Sequence, residues 1–165
     1  MTNNNTPTTP RREWIRVEKA KLWDVSLVRA LLQEQGLPVH CLLENVQKFF
    51  LLRANDTVRG CVGLEYHGVE HHGFDSCLLR SLVVHPDYRG KGYAKMLIKA
   101  LIEDAQSPRL SEMITVATPA GIALFEQFGF VRIDKEEVNP KMRASWQFNA
   151  ECVNDVVCMR LTFNQ

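Results

Sequence analysis

The sequence predicts one α/β domain built on a mixed sheet with helices on its faces. Three observations carry this expectation. Residues 76–84 form a strongly apolar run of strand length that stops at His85-Pro86-Asp87. A helical i, i+3, i+4, i+7 pattern follows it directly, and strand-like and helix-like segments alternate along the rest of the chain. With 165 residues, 45% hydrophobic and 24% charged, the chain is large enough for one core and shows no internal repeat.

Residues 1–12, MTNNNTPTTPRR, are polar and Pro-punctuated and read as a flexible lead-in; the folded domain spans 13–165. Residues 14–17 alternate like an edge strand. Residues 21–35 carry Leu27, Val28, Leu31 and Leu32 at helical spacing, with Asp24 where an N-cap or first-turn acid belongs and Gly36 and Pro38 ending the element. Residues 44–48 fit a short helical turn. Segments 49–54 and 59–66 flank the turn signal Asn55-Asp56 and predict a hairpin. Residues 68–75, rich in His, Gly and acid, read as a loop. Strand 76–84 ends where Pro86 cannot continue a central ladder. Ala94, Leu97, Ile98, Leu101, Ile102 and Ala105 then share a helical face opposite Lys91, Lys95 and Lys99, and Ser107-Pro108 closes that helix. A short buried strand is expected over 113–117. Gly121, Leu124, Phe125 and Phe128 share the face of a last helix stopped by Gly129, and strands follow at 130–133 and 156–163.

A formal charge of +1 leaves no broad basic field for nucleic acid or an anionic membrane. No apolar stretch approaches the roughly 20 residues needed to span a bilayer. With no secretory-type apolar core at the N-terminus, the expected location is the cytoplasm. Five cysteines in an odd count without a C-x-x-C pair suit reduced core thiols better than disulfides or zinc. His67, His71 and His72 with Glu70 and Asp75 match no zinc spacing and are read as part of the polar loop, so no metal is expected.

Glycine is scarce, nine in all, yet Gly90 and Gly92 sit two apart in Arg89-Gly90-Lys91-Gly92-Tyr93-Ala94, between the apolar strand and the amphipathic helix. Such glycines let successive N–H groups at a helix start point at an anion, and Arg89 and Lys91 add charge there. The chemistry this suits is a pyrophosphate cradle; a plain strand-to-helix turn is the alternative. There is no G-x-x-x-x-G-K-[ST], and Lys95 stands where G-x-G-x-x-G needs its third glycine, which argues against a P-loop NTPase and a Rossmann dehydrogenase.

These residues resemble the GNAT acyltransferases, whose phosphate-binding segment reads [QR]-x-x-G-x-[GA]; Arg89, Gly92 and Ala94 match it. The run Leu82-Val83-Val84-His85-Pro86-Asp87-Tyr88 is similar to the strand and turn before that segment, and AGIALFEQFGF at 120–130 to the helix after the fifth strand. The resemblance covers nearly the whole chain from Trp14. It implies an α+β, mostly antiparallel sheet with helices on both faces and a splayed fourth and fifth strand pair, with acetyl-CoA as acyl donor. It further implies that Leu82 and Val84 offer backbone groups to the pantetheine arm and that Arg89, Gly90, Lys91, Gly92, Tyr93 and Ala94 hold the pyrophosphate. Phe125, placed against the cofactor, stands where many members carry a Tyr that protonates the leaving thiolate, and Thr118 where many carry Asn. Phe cannot donate a proton, but with a thiol pKa of ~8.5 the leaving group can take one from water. Tyr66 and Tyr93 are other phenols to weigh, each also readable as packing or surface.

Glu65, at the end of the strand beside the fourth, is the expected general base. Arg80 interrupts an apolar strand and needs an anion, supplied either by Glu65 or by a substrate carboxylate. The segments LLRSL at 78–82, PKMRAS at 140–145 and VCMR at 157–160 are similar to the arsenic-resistance N-acetyltransferase branch, itself close to amino-acid N-acetyltransferases. That branch implies a small-molecule amine bearing an acid, bound by Arg80 and Arg143. Protein or peptide N-acetylation and non-catalytic acyl-CoA binding are the competing functions, and a homodimer is compatible with each.

Overall fold

Asn55 turns the chain at φ +54, a left-handed conformation that Asn tolerates, and joins the apolar segments on either side into a hairpin. In a computed structural model, which describes residues 11–69, 73–105, 109–152 and 155–163, this hairpin is part of a seven-stranded sheet. The strands are β1 (Ile15–Lys19), β2 (Phe49–Ala54), β3 (Thr57–Val69), β4 (Gly73–Val84), β5 (Glu112–Ala117), β6 (Val131–Ile133) and β7 (Val157–Thr162). Their order is β1-β2-β3-β4-β5-β7-β6. All neighbours are antiparallel except β4 and β5, which the crossover helix between them makes parallel.

Strand alternation sorts the core into two faces. Leu52, Val62, Leu64 and Leu79 meet Leu97, Ile98 and Leu101 of α3 (Tyr93–Ala105). On the other face, Phe49, Leu51 and Cys61 meet Val28, Leu31 and Leu32 of α1 (Val25–Glu34) and Leu42 of α2 (Leu42–Asn45). Farther along, Leu78 and Ile114 are covered by Met142 of α5 (Pro140–Arg143) and Phe148 of α6 (Trp146–Glu151). Helix α4 (Pro119–Glu126) brings Phe125 to the α3 side. The sheet is therefore mixed and mostly antiparallel, with helices on both faces.

Several expectations need correction. Most of 68–75 is strand: β3 and β4 stay paired through Tyr66↔Cys77, His67↔Ser76 and Val69↔Gly73, because cross-strand pairing overrides a loop-like composition. Glu70, His71 and His72 lie outside the described residues, as do 1–10 and the Ser107-Pro108 helix stop. Segment 21–35 opens with a 3-10 turn at Leu22–Asp24 rather than as continuous helix. The buried Asp24 carboxylate accepts the Lys21 backbone N–H at 2.9 Å and the Arg53 guanidinium at 2.6 Å, so it is held by the tertiary structure as well as by its own turn. Helices α5 and α6 were not anticipated, although Asn139 and Ser145 accept the Lys141 and Phe148 amides as N-caps. The cysteines are free; Cys61, Cys77 and Cys158 are buried, whereas Cys41 is exposed at the left-handed start of α2. Among the described residues no helix is long and apolar enough to cross a membrane.

Gly63 is required by a close approach. A Cβ there would lie 2.2 Å from the Phe49 ring, which in turn underlies the Arg80 guanidinium at 5.8 Å. Gly63→Ala should therefore cost about 1–3 kcal/mol of stability through overpacking. The test is the urea midpoint, and an unchanged value would mean that Phe49 moves aside freely.

Candidate active site

The parallel β4–β5 ladder lasts only from Ser76↔Glu112 to Leu79↔Thr115. Directly afterwards β4 bulges: Cys61 pairs with Val83 and Gly63 with Arg80, so Ser81 and Leu82 together oppose Val62. Ser81 adopts φ +58, and the bulge bends β4 away from β5. Leu82 is thereby left outside both ladders. The parted strands open a cleft of about 490 Å³. Residues 79–82 and 115–118 line it, with Gly121 and Phe125 of α4, the 36–38 turn after α1, and Ala150 and Glu151 at the end of α6.

A second cavity of about 550 Å³ shares Leu82 and Gly121 with the first and runs to the start of α3. Leu82, Val84, Arg89, Gly90, Gly92, Tyr93 and Ala94 all line it. Gly90 and Gly92 take φ +73 and +82, the left-handed turn that leaves the first α3 amides free to face the cavity. Arg89 is tied down, donating from Nε to the Val84 carbonyl at 2.8 Å and from Nη2 to Gln35 at 3.1 Å. Lys91 does not line the cavity; its ammonium sits 5.4 Å from the Tyr88 ring centroid. Phe125 lies in the cleft rather than at the cradle, packed edge-on against Phe130 at 5.3 Å. Tyr66 packs on the α3 side of the sheet, away from Arg80.

Arg80 is 1% exposed yet lines the cleft. It donates to Glu65 Oε2 at 3.1 Å, the His40 carbonyl at 2.9 Å and Ser81 Oγ at 3.2 Å. Burial pushes its pKa down, and Glu65 and Glu151 partly offset that. Glu65 does not line the cleft: Oε2 meets Arg80, and Oε1 lies 3.0 Å from His67 Nε2. Burial would raise its carboxyl, but His67 and Arg80 outweigh this and hold it below its ordinary value. Arg143 lines neither cavity, and its Nε is buried without a hydrogen-bond partner. The His40 and Trp146 rings stack at 3.3 Å, joining the segment after α1 to the start of α6.

Sequence reasoning passed over Glu151, whose carboxyl accepts from Gln147 Nε2 at 2.7 Å. Burial pushes it up to about 7, against the lowering pull of Gln147, Arg80 and the Ser81 amide. Its only local signal is the Ser145 cap opening a six-residue helix, too short for periodicity to reveal.

Residues 10–130 match the model of the Acetyltransferase (GNAT) family. An amino-acid acetyltransferase of Shewanella oneidensis is 29% identical over 141 residues, 81% of this chain and 30% of that protein. This chain thus spans under a third of the length of that curated relative. The N-acetylglutamate synthase of Neisseria gonorrhoeae, solved with coenzyme A and N-acetyl-glutamate, superposes with a TM-score of 0.71 at 20% identity, covering 94% of this chain and 36% of that one. A Mycobacterium tuberculosis protein solved with CoA gives the same TM-score at 20% identity, over 90% of this chain and 99% of that one. At these identities the structural likeness is one of fold.

The Glu65–Arg80 pair predicts a pH dependence. With its folded pKa below the ordinary 4.5, Glu65 contributes stability that is fully present above that value and lost as pH falls through the depressed one. Glu65→Gln should be less stable than the parent at pH 7 by roughly 1–3 kcal/mol. The gap should close below about pH 4, as followed by thermal unfolding; a constant gap to pH 3 would refute the pairing.

Proposed function

Because the chain belongs to the GNAT acetyltransferase family, we propose that it transfers an acetyl group from acetyl-CoA to the amino group of a small amino acid or amino-acid-like molecule. One observation carries the reading: the cleft between the parted β4 and β5 continues, through Leu82 and Gly121, into the two-glycine start of α3. A long ligand with a diphosphate at one end and a thioester at the other suits that trench. The α3 amides and Arg89 take the pyrophosphate, drawn by the helix N-terminus. Leu82, outside both ladders, offers its backbone to the pantetheine amides, Val84 flanks the same strand end, and Phe125 packs beside the thioester.

Phe125 supplies no proton, so the departing thiolate is protonated by water. The amino-acid acceptor is supported by the names of the Shewanella and gonococcal proteins. The similarity of 78–82, 140–145 and 157–160 to the arsenic-resistance branch places arsenical and phosphinic amino acids among the acceptors to try.

The test is thiol release from acetyl-CoA across a panel of L-amino acids, arsenical and phosphinic amino acids, and a peptide with a free N-terminus. Release with one or more small amino acids is expected. Release with the peptide alone would overturn the acceptor class, and binding of acetyl-CoA without release for any amine would leave a binding module. Arg89→Ala should weaken acetyl-CoA about 10-fold or more, the scale of one charged hydrogen bond. An unchanged Kd by calorimetry would refute the cradle.

A further inference from the structure

We propose that Glu151 on α6 is the general base for the acceptor amine, and that Glu65 is a positioning residue for Arg80. The inference rests on the acetyltransfer reading. Of the described residues lining the cleft between β4 and β5, only Arg80 and Glu151 carry an ionisable charge; Glu65 is not among them. Glu65 Oε2 is already engaged by Arg80, and Oε1 lies 3.0 Å from His67 Nε2. Glu151 is differently placed: Gln147, 2% exposed, donates to Oε1 and orients the carboxyl at the cleft wall. Gln147 Oε1 is itself buried without a protein partner, so its amide serves Glu151 as a donor.

The surroundings fit the task. Arg80 faces Glu151 from β4, Glu65 from β3, and the Ser81 amide from the bulge. Cys152, next in the chain, is pushed up to about 11 by burial and stays a neutral thiol near pH 7. The 36–38 wall, Gly-Leu-Pro, brings no titratable group. With burial holding Glu151 up to about 7, its carboxyl loses its proton in the range where a base is most effective, whereas Glu65 is held in its weakly basic, ion-paired form.

The step balances without another reactant. The acceptor ammonium gives one proton to a Glu151 oxygen, and the freed lone pair forms the N–C bond to the thioester carbonyl. The C–S bond then breaks, and the nitrogen's second proton passes through solvent to the departing thiolate. Because Glu65 already balances Arg80, an ionised Glu151 makes the cleft mouth net anionic, which draws in an ammonium group.

Two measurements decide it. Carbon-13 NMR of glutamate-labelled protein, with Glu151→Gln for assignment, should show one carboxyl titrating near pH 7; a Glu151 midpoint near the ordinary 4.5 overturns the proposal. With an acceptor turned over in the thiol-release panel, the kcat/KM profile should carry an acidic limb with a midpoint near 7. Glu151→Gln should lower kcat by about 10²- to 10⁴-fold, abolish that limb and leave the acetyl-CoA Kd unchanged. Glu65→Gln should keep the limb. The reverse pattern, with the limb lost in Glu65→Gln and kept in Glu151→Gln, overturns the assignment. Folding of the variant is checked by thermal unfolding: a carboxyl with a raised pKa loses stabilisation as pH rises from 4.5 through 7, so Glu151→Gln should gain stability relative to the parent above pH 7. Absence of turnover by the parent with every amine removes the acetyltransfer reading and the base with it. Turnover with an unaltered limb in Glu151→Gln removes the base alone.

Discussion

A guanidinium buried inside a sheet organises the functional end of this molecule. Arg80 sits at a core position of β4, where an uncompensated charge would cost several kcal/mol. Each neighbour answers part of that cost. Glu65 brings a carboxylate from β3, the His40 carbonyl and Ser81 hydroxyl accept from two further nitrogens, and the Phe49 ring offers its face. Phe49 can lie there only because position 63 has no side chain. One charge thus accounts for a glycine, an aromatic, an acid and the course of the segment after α1.

The same stretch of β4 opens the cleft. A bulge at Ser81 and Leu82 sets two β4 residues against Val62 of β3 just after the ladder with β5 has ended. Two strands that start in register therefore separate, and the residues beyond the ladder, 80–82 and 116–118, line a cavity. The bulge also sets Arg80 beside Glu151, so the residue that shapes the core and the residue at the cleft wall share one environment.

The sequence made legible what depends on local pattern. The 49–54 strand, the α3 stripe from Leu97 to Leu101 and the Gly90/Gly92 start of α3 all follow from spacing within a dozen residues. The cradle residues followed from that spacing and a family pattern together. What depended on distant partners was hidden. Glu65 as an isolated strand-end acid resembles a base; only the position of Arg80 shows that one of its oxygens is taken up in an ion pair, with His67 3.0 Å from the other. Helix α6 is too short to reveal itself by periodicity, so the place of Glu151 on the cleft wall had no signature in the chain. The extension of β3 and β4 beyond residue 67 was equally invisible, because His and Gly report composition, while pairing is decided across the hairpin.

The short β4–β5 ladder has one more consequence. A sheet that stops pairing halfway along two neighbouring strands possesses edges in its interior as well as at its rims. Bare strand edges invite pairing with other chains and so promote aggregation. Here the bare stretch is recessed, with the 36–38 turn on one side and the end of α6 on the other, and the stacked His40 and Trp146 rings hold those segments together. A foreign β-strand would have to part that clasp to reach it, whereas a slender chain of amides entering from the α3 end would not. The segments that frame the cleft therefore also shield its bare strand edges.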